Sequence, residues 1–188
     1  MHHTLVVTVD NQPDALQRVA GLLRRKNFGV QSLTVAATED PGTSRLTVVV
    51  DSRTSSPRLV TENLYKLIAV RRVADLAEEP GVARELVLLR VRAGSATRAE
   101  VLQLAQLQGA RVVEVSPASL VLEMSATSVD IARLVALLRP FGILAMTRSG
   151  ALALPAAAPE EWEDALAPAL LSTNGASFIE PLAEREGV

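Results

Sequence analysis

Between Thr4 and Ser149 the chain runs twice through one order of element types, and no other feature constrains its fold as much. Residues 4–9 (TLVVTV) are β-branched and apolar, the composition of a buried strand. Asp10-Asn11-Gln12-Pro13 marks a turn and helix start, since proline is tolerated at a first helical position. Residues 13–26 then set Leu16, Val19, Ala20 and Leu23 at helical spacing, with Gln17, Arg18, Arg24 and Arg25 opposite. Strands are expected at 30–37 and 44–51, joined by the turn signal Asp40-Pro41-Gly42. A helix over about 56–68, carrying Val60, Leu64 and Leu67, and an edge-like strand over 70–77 complete the first pass. Glu79-Pro80-Gly81 reads as a linker. The second pass predicts strands at 85–93, 111–116, 119–125 and 142–148, with helices at 97–108 and 128–138.

The fold class expected is α+β, with two ferredoxin-like βαββαβ domains in tandem and a C-terminal tail. The boundaries follow the signals: 1–79, 82–152, and a Pro/Ala-rich tail over 153–188. Within the tail, 159–167 starts well as a helix, because Pro159, Glu160 and Glu161 suit a helix N-terminus. Trp162 can anchor that helix, either on its own domain or on a partner.

Composition removes whole classes of function. With no cysteine, disulfides, thiol nucleophiles and thiolate metal sites are excluded. Aromatics are 3% of residues, so any core is aliphatic and stacking platforms for bases are nearly absent. A formal net charge of -2 argues against general binding to nucleic acid or anionic membrane. No apolar run reaches the roughly 20 residues a bilayer requires, and no leader precedes the first strand, so a cytoplasmic protein is expected.

The search for catalytic constellations finds none. Phosphate-binding glycine loops, zinc-protease and nucleophile-elbow motifs are all missing. The histidines are His2 and His3 alone, so no metal site is expected. Glu62, Glu100 and Asp130 fall on helices or turns, where carboxylates sit on solvated faces. A binding module is therefore expected rather than a free-standing enzyme. The start of the first helix is the natural ligand site, because its free N–H groups and positive dipole end suit a carboxylate. Asn11 can serve there as an N-cap or can hydrogen-bond an amino or carboxylate group.

Three stretches carry a family resemblance: Asn11-x-x-x-Ala15-Leu16-x-Arg18-Val19, Ser32-Leu33-Thr34-Val35-Ala36-x-Thr38-x-Asp40-Pro41, and Ser44-Arg45-x-Thr47. They are similar to the small, regulatory subunits of acetolactate synthase, also called acetohydroxyacid synthase. The match continues through Leu64-x-Lys66-Leu67-x-x-Val70, Arg84-Glu85-Leu86 and Arg148-Ser149-Gly150, and so covers residues 4 to about 152. The resemblance implies an N-terminal ACT domain that forms homodimers, with branched-chain amino-acid sites at the dimer interface. It also implies a separate catalytic subunit as partner, holding thiamine diphosphate, Mg and FAD, so that this chain holds no cofactor. The effects implied on that partner are activation and feedback inhibition, commonly by valine. A stand-alone ACT-domain amino-acid sensor with a different partner is the alternative.

By the same resemblance the effector positions are Asn11, Asp14, Ala15, Leu16 and Gly29. Two of them depart from the family pattern. The loop usually reads Asn-x-x-Gly-x-Leu, and Asp14 stands where the glycine is expected. Gly29 stands where the family tends to place asparagine. Asp14 adds bulk and a negative charge where an effector carboxylate would bind, and Gly29 offers no side-chain donor. Weakened valine sensing is the expectation.

Overall fold

A computed structural model describes residues 2–156. The expected helix 159–167, with Trp162, lies outside the described residues. The first unit orders its elements as β1 (His2–Asp10), α1 (Ala15–Arg25), β2 (Val30–Ala37), β3 (Thr43–Asp51), α2 (Pro57–Leu64) and β4 (Val70–Asp75). The second orders β5 (Gly81–Arg92), α3 (Arg98–Leu107), β6 (Arg111–Val115), β7 (Ser119–Ala126), α4 (Ser128–Leu138), β8 (Ile143–Arg148) and β9 (Leu152–Pro155). The sheets run β2-β3-β1-β4 and β6-β7-β5-β8. Every paired neighbour is antiparallel. The fold is thus the expected tandem of βαββαβ units.

Strand alternation explains how the first sheet holds its helices. In β1 and β3, Leu5 pairs with Val48 and Val7 with Leu46, placing these side chains on one face. That face packs against Ala15, Val19, Leu22 and Leu23 of α1 and Val60 and Leu64 of α2. Burying each large aliphatic side chain stabilises the unit by about 1.5–3 kcal/mol before entropy is counted. The buried face of α1 is rotated from the predicted one. Ala15 and Leu22 are buried, while Leu16 is 43% exposed and Ala20 lies in solvent. Both registers satisfy helical spacing, and tertiary packing chooses between them.

The run Leu5-Val6-Val7 is buried without a break, although alternation sends Val6 to the opposite face. The cause is β9. Its Ala153 packs with Val6 and Ala74 on the side of the sheet away from the helices. β9 pairs with the start of β5, Gly81 to Pro155 through Arg84 to Leu152, so β5 begins four residues before its predicted start. The strand therefore starts at Gly81, a residue read as linker, and residues 153–155, read as tail, are strand. Alternation alone could not reveal β9, because Leu152-Ala153-Leu154-Pro155 is short and its partner is distant in sequence.

The second unit repeats the scheme. Val87, Leu89 and Val91 of β5 and Leu120, Leu122 and Met124 of β7 form its core with Val101, Ala105, Ile131, Leu134 and Leu138. α4 begins on Thr127, whose Oγ1 accepts from the Asp130 N–H at 3.2 Å and donates to the Asp130 carboxylate at 2.6 Å. The helix α2 ends at Leu64, four residues short of its predicted end. Tyr65 turns back there, its hydroxyl bridging the Val73 N–H and carbonyl at 3.0 and 3.3 Å.

Candidate functional site

The loop between β1 and α1 is held by the β2–β3 hairpin beside it. The Asn11 N–H donates to the Gly42 carbonyl at 2.9 Å. The Asn11 side chain donates to the Pro41 carbonyl at 3.1 Å and accepts from the Ser44 hydroxyl at 3.2 Å. Arg71 adds a second tie, donating to Asp10 at 2.5 Å and lying 3.7 Å from Asp40. Asn11 therefore does not cap the helix. It fixes the loop to the hairpin, a contact that its position in the sequence did not suggest.

The N-cap is Asp14, and α1 starts at Ala15, two residues after the predicted Pro13. Asp14 makes no capping hydrogen bond. Its carboxylate instead accepts from Arg18 Nε at 2.6 Å, one helical turn on. Ala15 N–H bonds the Gln12 carbonyl and Arg18 N–H the Asp14 carbonyl. Leu16 and Gln17 follow, the first-turn positions whose N–H groups an α-helix leaves without an intrahelical partner. The loop thus presents helix N–H groups to solvent, with a carboxylate beside them that Arg18 partly neutralises. Ala15 is buried in the core and Leu16 lies on the surface of this end.

Gly29 is elsewhere. Val30 pairs with Val50, whereas Ala37 pairs with Ser44, so Gly29 and Asn11 sit at opposite ends of the β2–β3 hairpin. One chain does not bring them together. Gly29 is pinned at both polar groups: its N–H donates to the Ser55 hydroxyl at 2.8 Å, and its carbonyl accepts from the Asp51 N–H at 2.9 Å. A Cβ there would stand 2.0 Å from Thr54 Oγ1, so no side chain fits without moving Thr54. Close by, Arg53 donates to both oxygens of the buried Asp51. Those hydrogen bonds hold the Asp51 carboxyl well below the usual carboxylate range.

A second feature lies between the sheets. A cavity of about 690 Å³ opens between the helix-free face of the first sheet (Thr4, Ser32, Val49) and the start of β5 and α4 (Arg84, Glu85, Ser128). At its wall Arg148 grips the buried Glu85 through two hydrogen bonds, at 2.9 and 2.5 Å. Among the described residues, no three acidic or histidine side chains are grouped to hold a metal ion. No helix among them is long and apolar enough to cross a membrane.

Sequence reading missed the partners of Asn11, namely Pro41, Gly42 and Ser44, and it gave Arg148-Ser149-Gly150 no role. Pro41 and Ser44 lie in the stretches that carried the family resemblance, and proximity to Asn11 was the missing information.

Comparisons with known proteins match both halves of the chain. Residues 84–157 match the family model described as the small subunit of acetolactate synthase, and residues 11–73 match an ACT domain. The chain is 39% identical over 152 residues to the acetolactate synthase small subunit of Mycolicibacterium smegmatis, covering 81% of this chain and 89% of that one. It is 38% identical over 154 residues to the probable acetolactate synthase small subunit of Archaeoglobus fulgidus, covering 82% and 96%. A crystal structure of the acetolactate synthase small subunit from Thermotoga maritima superposes with a TM-score of 0.73 at 27% identity. It covers 84% of this chain and 99% of that one.

Proposed function

This chain belongs to the family of acetolactate synthase small subunits, and from that membership we propose that it is a non-catalytic regulatory subunit. It binds a separate catalytic subunit and raises the rate at which that subunit joins two pyruvates into acetolactate with loss of CO₂. The partner holds the thiamine diphosphate, Mg and FAD, and both act in the cytoplasm. The observation that carries this reading is the match of both halves of the chain to family members over most of their length.

Regulation by a branched-chain amino acid belongs to the same proposal. The supporting geometry is the β1–α1 loop, whose exposed helix start suits an effector carboxylate. Asn11 and Gly29 lie at opposite ends of one hairpin, so an effector that touched both positions would need two chains. β2 is an edge strand and can supply that contact by pairing with its copy in a homodimer. At each such site Asp14 opposes the effector carboxylate, and Gly29 gives no side-chain hydrogen bond. Valine is therefore sensed weakly.

Co-expression with the catalytic subunit of the same organism tests the partner. The two chains should co-purify and sediment together, and this chain should sediment as a dimer when alone. Absence of any association would defeat the regulatory reading and favour a stand-alone sensor.

A further inference from the structure

Arg148, Ser149 and Gly150 follow one another where β8 ends, and each makes a contact of a different kind. Arg148 holds Glu85, 8% exposed, through its paired hydrogen bonds. Ser149 closes the ladder between β8 and β5: its N–H donates to the Leu86 carbonyl, and its hydroxyl accepts from the Leu86 N–H, both at 3.0 Å. These two residues therefore belong to the second sheet. The carbonyl of Ser149 faces the other way and accepts from the Thr34 hydroxyl of β2, at 3.4 Å.

Gly150 makes the closest approach. Its φ is +77°, a conformation that favours glycine. A Cβ there would lie 2.8 Å from Thr34 Oγ1 and 3.3 Å from the Ser32 Cβ. Glycine is required on both grounds, backbone angle and space. The chain then turns into β9, whose Ala153 covers Val6 and Ala74 of the first sheet. Both sheets belong to one compact unit that ends at Ala156.

We propose that Arg148-Ser149-Gly150 is a clasp that couples the two sheets, carrying a displacement of β2 in the first to β5 and β8 in the second. Thr34 sits on β2, the edge strand, and pairs with Thr47 in β3. A shift of β2 presses on Gly150, whose side-chain space Thr34 and Ser32 already fill. Ser149 is locked to Leu86 by two bonds and Arg148 to Glu85 by two more, so the push reaches β5 directly. Glu85 lines the cavity between the sheets together with Thr127 and Ser128, so the start of α4 lies within the same wall. The clasp thus joins, beside β9, two units that each have a core of their own.

The inference stands apart from the regulatory reading, and its test needs neither partner nor effector. Hydrogen exchange is followed by mass spectrometry on the full chain and on Val48→Ala, which loosens the core of the first unit alone. With the clasp intact, exchange should quicken by about tenfold in β1 and β3 and by at least about threefold in β5 and β8. With the clasp cut by Gly150→Ala, the same core change should add less than about a third as much to exchange in β5 and β8, the remainder passing through β9. Thr34→Ala is the milder cut: it removes the donor to Ser149 together with the Thr34 methyl and adds no atoms, and it should about halve the transmitted effect. If Val48→Ala leaves β5 and β8 unchanged, or quickens them equally with the clasp cut, the proposal is overturned.

Discussion

Gly29→Asn would place at this position the side chain that the family resemblance leads one to expect, and the structure fixes what it costs. The new Cβ would stand 2.0 Å from Thr54 Oγ1 and 3.2 Å from Thr54 Cβ. Gly29 cannot retreat, because its N–H and carbonyl are both held, by Ser55 and Asp51. Thr54 must therefore rotate, and it loses the bond its hydroxyl donates to the Asp51 carbonyl at 3.0 Å. A lost hydrogen bond costs about 0.5–1.5 kcal/mol, and residual crowding of this kind about 1–3 kcal/mol. We expect Gly29→Asn to destabilise the chain by about 2 kcal/mol, read as a lower urea midpoint at unchanged slope. Thr54→Ala removes the clashing oxygen and leaves only the 3.2 Å contact. In that background the same substitution should cost less than about 1 kcal/mol, so the two changes couple by more than about 1 kcal/mol. Equal costs in both backgrounds would refute the contact as the reason for this glycine.

Three further outcomes follow from the same geometry. Asp14→Gly removes an exposed ion pair with Arg18, so it should lower stability by less than about 1 kcal/mol. It should also tighten valine binding about three- to tenfold in calorimetry, and no gain would sink the idea that Asp14 opposes the effector. Arg148→Met should destabilise by about 2 kcal/mol, because it strands the buried Glu85 carboxylate while the guanidinium it removes is one-third exposed. Adding Glu85→Gln should recover most of that loss, and a failure to recover would mean that packing, not charge, holds the pair. Asp51 is held below its ordinary value of 3.8 by the Arg53 hydrogen bonds. Its contribution to stability is therefore fully present above about pH 4 and is lost as the pH falls below that. In urea unfolding at several pH values, Asp51→Asn should flatten the fall in stability below pH 4, and an unchanged fall would reject the assignment.

Much of the fold was legible because each element carried its own local signal. The strand 30–37 and the helix 128–138 match their predicted bounds, the first from β-branched residues between turn signals and the second from Ile131, Leu134 and Leu138 at helical spacing. β9 was not legible, since four residues ending in proline become a strand only when β5 lies beside them. The face of α1 was legible only in part, because Leu16 and Ala15 are adjacent and packing alone decides which turns inward. At the site, the turn before the first helix was readable, but the hydrogen-bond partners of Asn11 were not. Its partners Pro41 and Ser44 are about thirty residues away, joined to it by sheet register. Gly29 looked like a lost ligand. What the structure shows there is a packing requirement set by Thr54, another long-range fact.

The regulatory role stands or falls on the rate of acetolactate formation by the catalytic subunit, titrated with this chain with and without valine. A regulatory subunit of this kind should make no acetolactate alone, give a saturable rise in rate as it is added, and lose little of that rise when valine is present. An unchanged rate at saturating chain, or acetolactate made by this chain without its partner, would contradict it.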